Sequence, residues 1–440
     1  MSPERRSRIW ALALPIIGGM ASQNLLNLVD TAMVGALGPA ALAAVGMVSF
    51  LHFLAVAALT ALSSAVQALA SRRFGAGEVH LSALPLNAGL CVSLFIGLPL
   101  TLLLLQQAGT ILGWVLDDAE AIAQGQPYFE ARVLAIAFVG MNFSFRGYFA
   151  AVDQSRFYLR TLLVMHSSNI LLSYVLIFGH LGLPAMGTFG AGLGTALSIM
   201  LGTAIYFATA WKHARGHGFL AARPGRAQFG ALLRLGIPSC LQQVLFAGGF
   251  VALFWIIGQV GTRELAVANV LINLSLVAIL PGMGFGIAAA SLVGQSMGAK
   301  QPDAAYLWAW DVVRLAARVF AVLGGIMLFL PGPALSLFLH EPELIDMGRL
   351  PLQLVGLGML FEGSGLILMQ ALLGAGAART VMLIGIGFQW VLFLPLAWLL
   401  GPVLGYGLLA IWLAMSGYRA LQTLLIVFIW YRRRWQQIEL

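Results

Sequence analysis

Residues Leu14–Gly38 read LPIIGGMASQNLLNLVDTAMVGALG, and residues Ile237–Gly261 read IPSCLQQVLFAGGFVALFWIIGQVG. Laid over one another, they pair Pro15 with Pro238, Gly35 with Gly258 and Gly38 with Gly261, always 223 residues apart. The same offset carries Phe74-Gly75-Ala76 onto Met297-Gly298-Ala299 and returns at Arg156 against Arg379. The chain is two homologous halves. Repeated sets of apolar helices are the sequence mark of secondary transporters, which work at the interface of their repeats. One difference between the copies carries chemistry: Asp30 of the first is Leu253 in the second.

Of 440 residues, 60% are hydrophobic and 9% charged, and the mean hydropathy is +0.92. A soluble domain carries about 25% charged residues, so this composition belongs in a bilayer. Apolar stretches that can span it, at about 20 residues each, fall at 8–34, 45–70, 84–106, 129–150, 158–178 and 188–211, then at 230–258, 264–293, 307–331, 350–374, 380–400 and 405–431. This pattern predicts an all-α integral membrane protein of twelve helices, six per half. Polar residues alternate too rarely for a β-barrel. The expected division is a first bundle over 1–211, a linker over 212–229 and a second bundle over 230–440.

The formal net charge of +8 is explained by sidedness and does not call for a nucleic-acid partner. Arg5, Arg6, Arg8, Arg72, Arg73, Arg156, Arg160, the basic stretch Lys212–Arg226, Arg234, Lys300, Arg379 and Arg432-Arg433-Arg434 fall on one side. The other side has Arg132, Arg263 and Arg349 among acids that include Asp117, Asp118, Glu120, Glu341 and Glu343. By the positive-inside rule both termini are cytoplasmic. Cys91 and Cys240 suggest neither a disulfide framework nor a metal site. There is no GxxxxGK[ST], HExxH or nucleophile elbow, so an ATP-driven pump or an enzyme has no chemistry to point to.

A charge at mid-bilayer costs about 2.5–3.5 kcal/mol on translocon scales, so its place is informative. Gln23, Asn27 and Asp30 follow at i, i+4 and i+7 on one helix face. The fifth helix carries His166, Asn169 and Ser173, and the Gly-rich start of the sixth leaves Thr195 as a polar candidate. In the second half, Glu362 in the tenth helix is a second intramembrane acid. Arg419 of the twelfth is its candidate partner, and Asn269 and Asn273 form an i, i+4 pair in the eighth. Met33, Phe246 and Phe254, with Met20 and Trp255, would give a soft, aromatic binding surface.

LALPIIGGMASQNLLNLVDTAMVGALG, SNILLSYVLIFGHLGLPAMGTFGAGLGTALS and QALLGAGAARTVMLI together resemble the MATE family of multidrug and toxic-compound extrusion transporters. The resemblance runs over essentially the whole chain. It implies two six-helix bundles around a V-shaped central cavity. It also implies export of lipophilic, often cationic, compounds in exchange for protons or sodium. Position by position, Asp30 matches the coupling acid of the family's first helix, and Pro15 the proline at which that helix bends. Asn169 and Thr195 match polar partners of the acid. Ser173 stands where several relatives have a second acid and NorM-type members an amide. Phe246 replaces a seventh-helix acid of NorM-like members, and Glu362 aligns with their tenth-helix acid. The pattern leans towards the DinF-like members.

The expectation is therefore a cation-coupled antiporter. Ion coupling falls to Asp30, Asn169, Ser173 and Thr195. Substrate binding falls to Gln23, Asn27, Met33, Phe246, Phe254, Asn273, Glu362 and Arg419, with Pro15 as the helix hinge. The chain needs no cofactor. A proton is the favoured coupling ion, because Asp30 is the one acid evident in its bundle, and a sodium ion at Asp30 is the other option. Small organic molecules and the bilayer are the expected partners, and the protein is expected to act as a monomer in the inner (plasma) membrane. The alternative reading is a flippase for lipid-linked saccharides, which would need several arginines to grip a pyrophosphate; Arg146 and Arg419 are the candidates in the sequence.

Overall fold

The computed structural model describes residues 1–115 and 118–438; Asp117 lies outside them. The chain runs through α1 (Pro3–Gly35), α2 (Pro39–Gly75), α3 (Leu84–Gly113), α4 (Ala119–Val133), α5 (Ile136–Ala151), α6 (Ser155–Phe178) and α7 (Gly187–His213). The second half begins with α8 (Arg226–Val260) and continues with α9 (Thr262–Gly298), α10 (Pro302–Phe329), the short α11 (Pro331–Ser336), α12 (Pro342–Gly374) and α13 (Ala378–Ile386). Two π-helical stretches, Gly387–Phe393 and Leu399–Val403, flank α14 (Leu394–Trp398), and α15 (Gly407–Tyr431) follows. Among the described residues, eleven helical segments are long and apolar enough to cross a membrane, and twelve if the bent pair α4–α5 is one span. This agrees with the six-plus-six expectation.

The departures have local causes. The fourth span starts ten residues before the expected 129, because Asp118 caps α4 by accepting the Glu120 amide at 3.1 Å. It then bends by 49° at Leu134 and Ala135. The Val133 carbonyl at that bend is met by the Thr101 hydroxyl at 2.9 Å, which is how a helix can break inside lipid without an orphaned acceptor. In the penultimate span Pro395 and Pro402 remove backbone donors, and the ladder there slips to the wider π pattern.

By its contacts the chain forms two compact units that do not divide at the linker. One is Gly18–Cys240; the other is Met1–Ile17 with Leu241–Leu440. The cuts fall inside α1 and α8, at Ile17/Gly18 and Cys240/Leu241, again 223 residues apart and just after the paired prolines. The first 17 residues group with the second half for visible reasons. Trp10 packs edge-on against Phe285 with ring centroids 5.2 Å apart. Arg5 lies 4.0 Å above the Trp308 ring and pairs at 2.9 Å with Asp311, a fully interior acid of α10.

The expected linker is shorter and better anchored than its composition suggests. Residues 214–225 separate α7 from α8, and Asn87 of α3 holds them. Its amide donates to the carbonyls of Gly218 and Ala222, both at 2.9 Å, and its oxygen accepts the Leu220 amide at 3.1 Å. Phe219 is buried against Phe145 and Phe207. Tyr148 meets His217 Nδ1 at 2.7 Å, and burial holds the His217 imidazole below its ordinary range. Its contribution to docking is therefore present above the ordinary histidine pKa and is lost as pH falls through the lowered value.

Three hydrogen bonds, one buried and two part-buried, at about 1 kcal/mol each predict that Asn87→Ala frees this segment. Trypsin cleavage at Arg215, Arg223 or Arg226 of the purified protein should accelerate at least about tenfold, since cleavage tracks the open population. An unchanged cleavage rate would show that Phe219 and the Tyr148–His217 contact anchor it without Asn87.

Candidate functional site

Within the Gly18–Cys240 unit, α1, α2, α4 and α7 enclose a cavity of about 340 Å³. Asn27 and Asp30 reach it from α1, Ser49 from α2, Tyr128 and Arg132 from α4, and Thr195 from α7. Thr31, whose hydroxyl donates to the Asn27 carbonyl at 2.7 Å, also lines it, and the rest of the wall is aliphatic, including Val34, Val45, Gly46 and Ala191. Asp30 Oδ1 is buried with no hydrogen-bond partner. The opposite polarity comes from α4. Arg132 donates through Nη1 to the Tyr128 phenol at 2.8 Å, and Tyr128 in turn lies 3.1 Å from Ser49 Oγ. With Arg132 donating into the phenol oxygen, the phenol proton is free to go to Ser49. Thr195 has already given its proton to the Ala191 carbonyl at 3.0 Å, so it offers an oxygen to the cavity.

The other candidates of this half fall into two groups. Gln23 donates to Asn27 at 3.2 Å, and the stripe on α1 continues to Asp30 as its spacing predicts. His166 is fully engaged, by Ser22 Oγ at 2.7 Å on Nδ1 and by Gln23 Oε1 at 3.1 Å on Nε2, so it ties α6 to α1. Asn169 and Ser173 are buried and bond to one another at 3.0 Å, and they are not among the residues that line the cavity. They sit at the α6–α7 seam, where Gly194 brings the backbone against Ser173 and a Cβ would collide with it. Met33 is half-buried and lies off the cavity wall.

The second half has its own, more apolar cavity of about 140 Å³, with Phe246, Phe320, Met359, Met369, Tyr418 and Ile426 on its walls. Glu362 and Arg419 also reach it, and they are joined at 2.8 Å. This is the partnership that the sequence offered as one option. Phe254 and Asn273 lie outside this lining, and Asn273 spends its amide on Asn269.

Three functional side chains escape a reading of the sequence alone. Arg132 reads as a loop residue on the acidic side, yet it stands in the last turn of α4 and lines the Asp30 cavity. Tyr128 and Ser49 accompany it. The spacing of Tyr128 and Arg132 at i, i+4 was the available signal. Asp311 is a further buried acid that the hydropathy pattern does not single out.

A bundle of membrane-length helices with unequal charged cavities in its two repeats defines a polytopic membrane transporter. The MatE family model matches residues 15–175 and again residues 238–399, so this chain belongs to the MatE family, whose members are transporters and not enzymes. Both matches begin at the paired prolines. Among its relatives, the probable multidrug resistance protein NorM of Thermotoga maritima is 27% identical over 99% of this chain and 94% of its own length. The protein of the same name from Bradyrhizobium diazoefficiens is 30% identical over 92% and 88%. They carry the NorM name, where the sequence alone leads to the expectation of a DinF-like member. The fold is shared with a solved outward-facing multidrug resistance MATE family transporter of the MOP superfamily, at a TM-score of 0.89 and 19% identity over 99% of this chain and 97% of that one. It is also shared with a MOP superfamily transporter from Pyrococcus furiosus, at a TM-score of 0.87 and 20% identity over 98% and 96%.

Because Arg419 already satisfies Glu362, removing the charge of Glu362 leaves a cation inside the second half. Breaking a buried pair costs about 3 kcal/mol; with both side chains about a fifth exposed, we expect a loss nearer 1–2 kcal/mol. Glu362→Gln should lower the thermal unfolding midpoint of the detergent-purified protein, and Glu362→Gln with Arg419→Met should recover part of the loss. A full-sized loss in the double variant would mean that the pair is not what stabilises this cavity.

Proposed function

We propose that the protein exports lipophilic and cationic organic compounds by alternating access, driven by antiport of a cation, with the proton as the coupling ion and Asp30 as the coupling group. One observation carries this reading: Asp30 is an acid with an unpartnered oxygen in a polar cavity, while the acid of the other half is already neutralised by an arginine. Proton and cationic substrate then exclude one another. A charged Asp30 holds the substrate, and protonation removes the charge that held it. The names of the relatives, multidrug resistance proteins, support the substrate class.

The proton is favoured over sodium by the ligand supply. Sodium requires several oxygens around the acid. Asn169 and Ser173 are occupied with each other, and Tyr128 and Ser49 with Arg132. A proton needs only the carboxyl. The positive-inside distribution supports a multi-pass protein of the inner membrane with both termini cytoplasmic; the proposed form is a monomer. A flippase for lipid-linked saccharides is not favoured. Arg419 is neutralised by Glu362, Arg146 is bonded to Ser63 at 3.0 Å and stacked on Phe143, and Arg132 alone does not make a pyrophosphate grip.

Asp30→Asn keeps the shape and removes the titration. In proteoliposomes loaded with a fluorescent organic cation, a pH gradient without sodium should drive efflux by the unaltered protein, and Asp30→Asn should lose at least about tenfold of that rate, the scale of one lost charge-assisted contact. Strict dependence on a sodium gradient at symmetrical pH would overturn the proton assignment, and full activity of Asp30→Asn would overturn the role of Asp30.

Pro15 lies inside α1, where it leaves the Ala11 carbonyl without its helical donor and lets the helix bend, two residues before the chain passes from one compact unit to the other. Pro15→Ala restores the donor. Transport in the same vesicles should slow several-fold while equilibrium binding of the organic cation is retained. An unchanged rate would reject the hinge.

A further inference from the structure

The cavity of the first half holds a second charge that the coupling scheme leaves without a role. Arg132 has no carboxylate within ion-pair distance among the described residues, and its Nε is buried without a hydrogen-bond partner. Asp30 is in the complementary condition, with no ion pair among the described residues and Oδ1 unpartnered. The two line the same cavity of about 340 Å³, and Arg132 is the charge that acts on Asp30 across it. An arginine does not lose its proton in a protein, so this cation is permanent. It is also tethered: Tyr128, one turn earlier on α4, accepts from Nη1 and lies 3.1 Å from Ser49 Oγ. The second half shows the same two chemical groups brought into contact, as Arg419 and Glu362 at 2.8 Å, although neither occupies the position equivalent to Asp30 or Arg132 in the 223-residue repeat.

We infer that Arg132 is a built-in counter-cation for Asp30, which makes the first-half cavity reject sodium while accepting a proton or the ammonium group of a substrate. This inference rests on the reading of Asp30 as the coupling acid. Two physical effects converge on it. First, two like unit charges held about 6 Å apart at an effective dielectric constant near 20 disfavour one another about a hundredfold in binding. The repulsion acts on a proton too, but a carboxyl begins with a proton affinity near 10⁴ per molar and binds the proton covalently, with no shell of ligands. Second, two of the neutral oxygens that could join a sodium shell are engaged by Arg132, directly at Tyr128 and through it at Ser49, which leaves Asn27, Thr31 and Thr195 as the remaining side-chain oxygens of the lining. Removing the guanidinium returns both oxygens and lifts the repulsion. An organic ammonium, with its charge spread over hydrogen-bond donors and an apolar body, tolerates the site because the aliphatic wall of the cavity contributes to its binding.

The test is equilibrium binding of radioactive sodium to the purified full-length protein at mildly alkaline pH, with no gradient and no substrate. The unaltered protein and R132K, which keeps the charge, should show no saturable sodium binding in the millimolar range. R132Q should gain saturable binding at least tenfold stronger than any signal of the unaltered protein, and D30N placed on R132Q should abolish it. R132Q indistinguishable from the unaltered protein, with a monodisperse elution profile showing that it folds, would overturn the inference. Asp30-dependent sodium binding by the unaltered protein would overturn it as well, and that arm stands even if R132Q does not fold. Failure of Asp30 as the coupling acid would appear instead in the vesicle efflux rates, which this binding measurement does not use.

Discussion

A carboxylate placed among apolar helices has to be met by a cation, a proton or water, because the bilayer supplies none of them cheaply. The protein meets this demand in different ways, and the contrast organises the molecule. Asp311 is joined to Arg5 at 2.9 Å, which ties the start of α1 to the second half. Glu362 is joined to Arg419 at 2.8 Å, inside a cavity that is mostly apolar. Asp30 is in no ion pair among the described residues, and its Oδ1 has no hydrogen-bond partner. Two acids are used to hold structure, and the third retains an unfilled demand that an exchangeable ligand can satisfy. The asymmetry between homologous halves is thus an asymmetry of satisfaction, not of charge count.

The neutral polar groups obey the same constraint and so separate structural from functional candidates. His166 uses both ring nitrogens on α1, and Asn169 and Ser173 use each other. Hydroxyls on the helices return to carbonyls three or four residues back, as Thr195, Ser144 and Thr203 do, a common refuge for serine and threonine in lipid. Among the buried polar atoms left without a hydrogen-bond partner, Asp30 Oδ1 and Arg132 Nε belong to residues that line one cavity. A buried donor or acceptor without a partner costs about 1–3 kcal/mol, and a fold retains such a cost where a ligand is to remove it.

Much of this was legible in the sequence, and what was not has specific reasons. The repeat, the twelve spans and the isolation of Asp30 follow from apolar run lengths and a constant offset, which are properties of the chain in one dimension. The pairing of Glu362 with Arg419 was accessible because both stand out against apolar neighbours. Arg132 was hidden by its own surroundings. It follows AEAIAQGQPYFEA, a stretch polar enough to read as a loop, and only the Asp118 cap and the bend after Val133 make that stretch the outer part of a span. Asp311 was hidden because it lies near the basic end of α10, where a charge calls for no explanation until its burial is seen. The docking of residues 214–225 was hidden in Asn87, the one asparagine of an apolar helix, whose three partners lie more than 130 residues away.

The exchange of the first turns of α1 and α8 between compact units bears on how the protein was built. Each unit is completed by a helical segment whose sequence-equivalent partner completes the other, and the two crossing points obey the same repeat as the prolines beside them. A half-length chain with this architecture would leave the docking surface for its own first turns unfilled and would carry those turns with nowhere to bury them. Two such chains remedy both defects at once by trading arms. Each repeat thus gives its first helical turns to the compact unit formed by the rest of the other repeat, and residues 214–225 are the stretch that joins the two repeats.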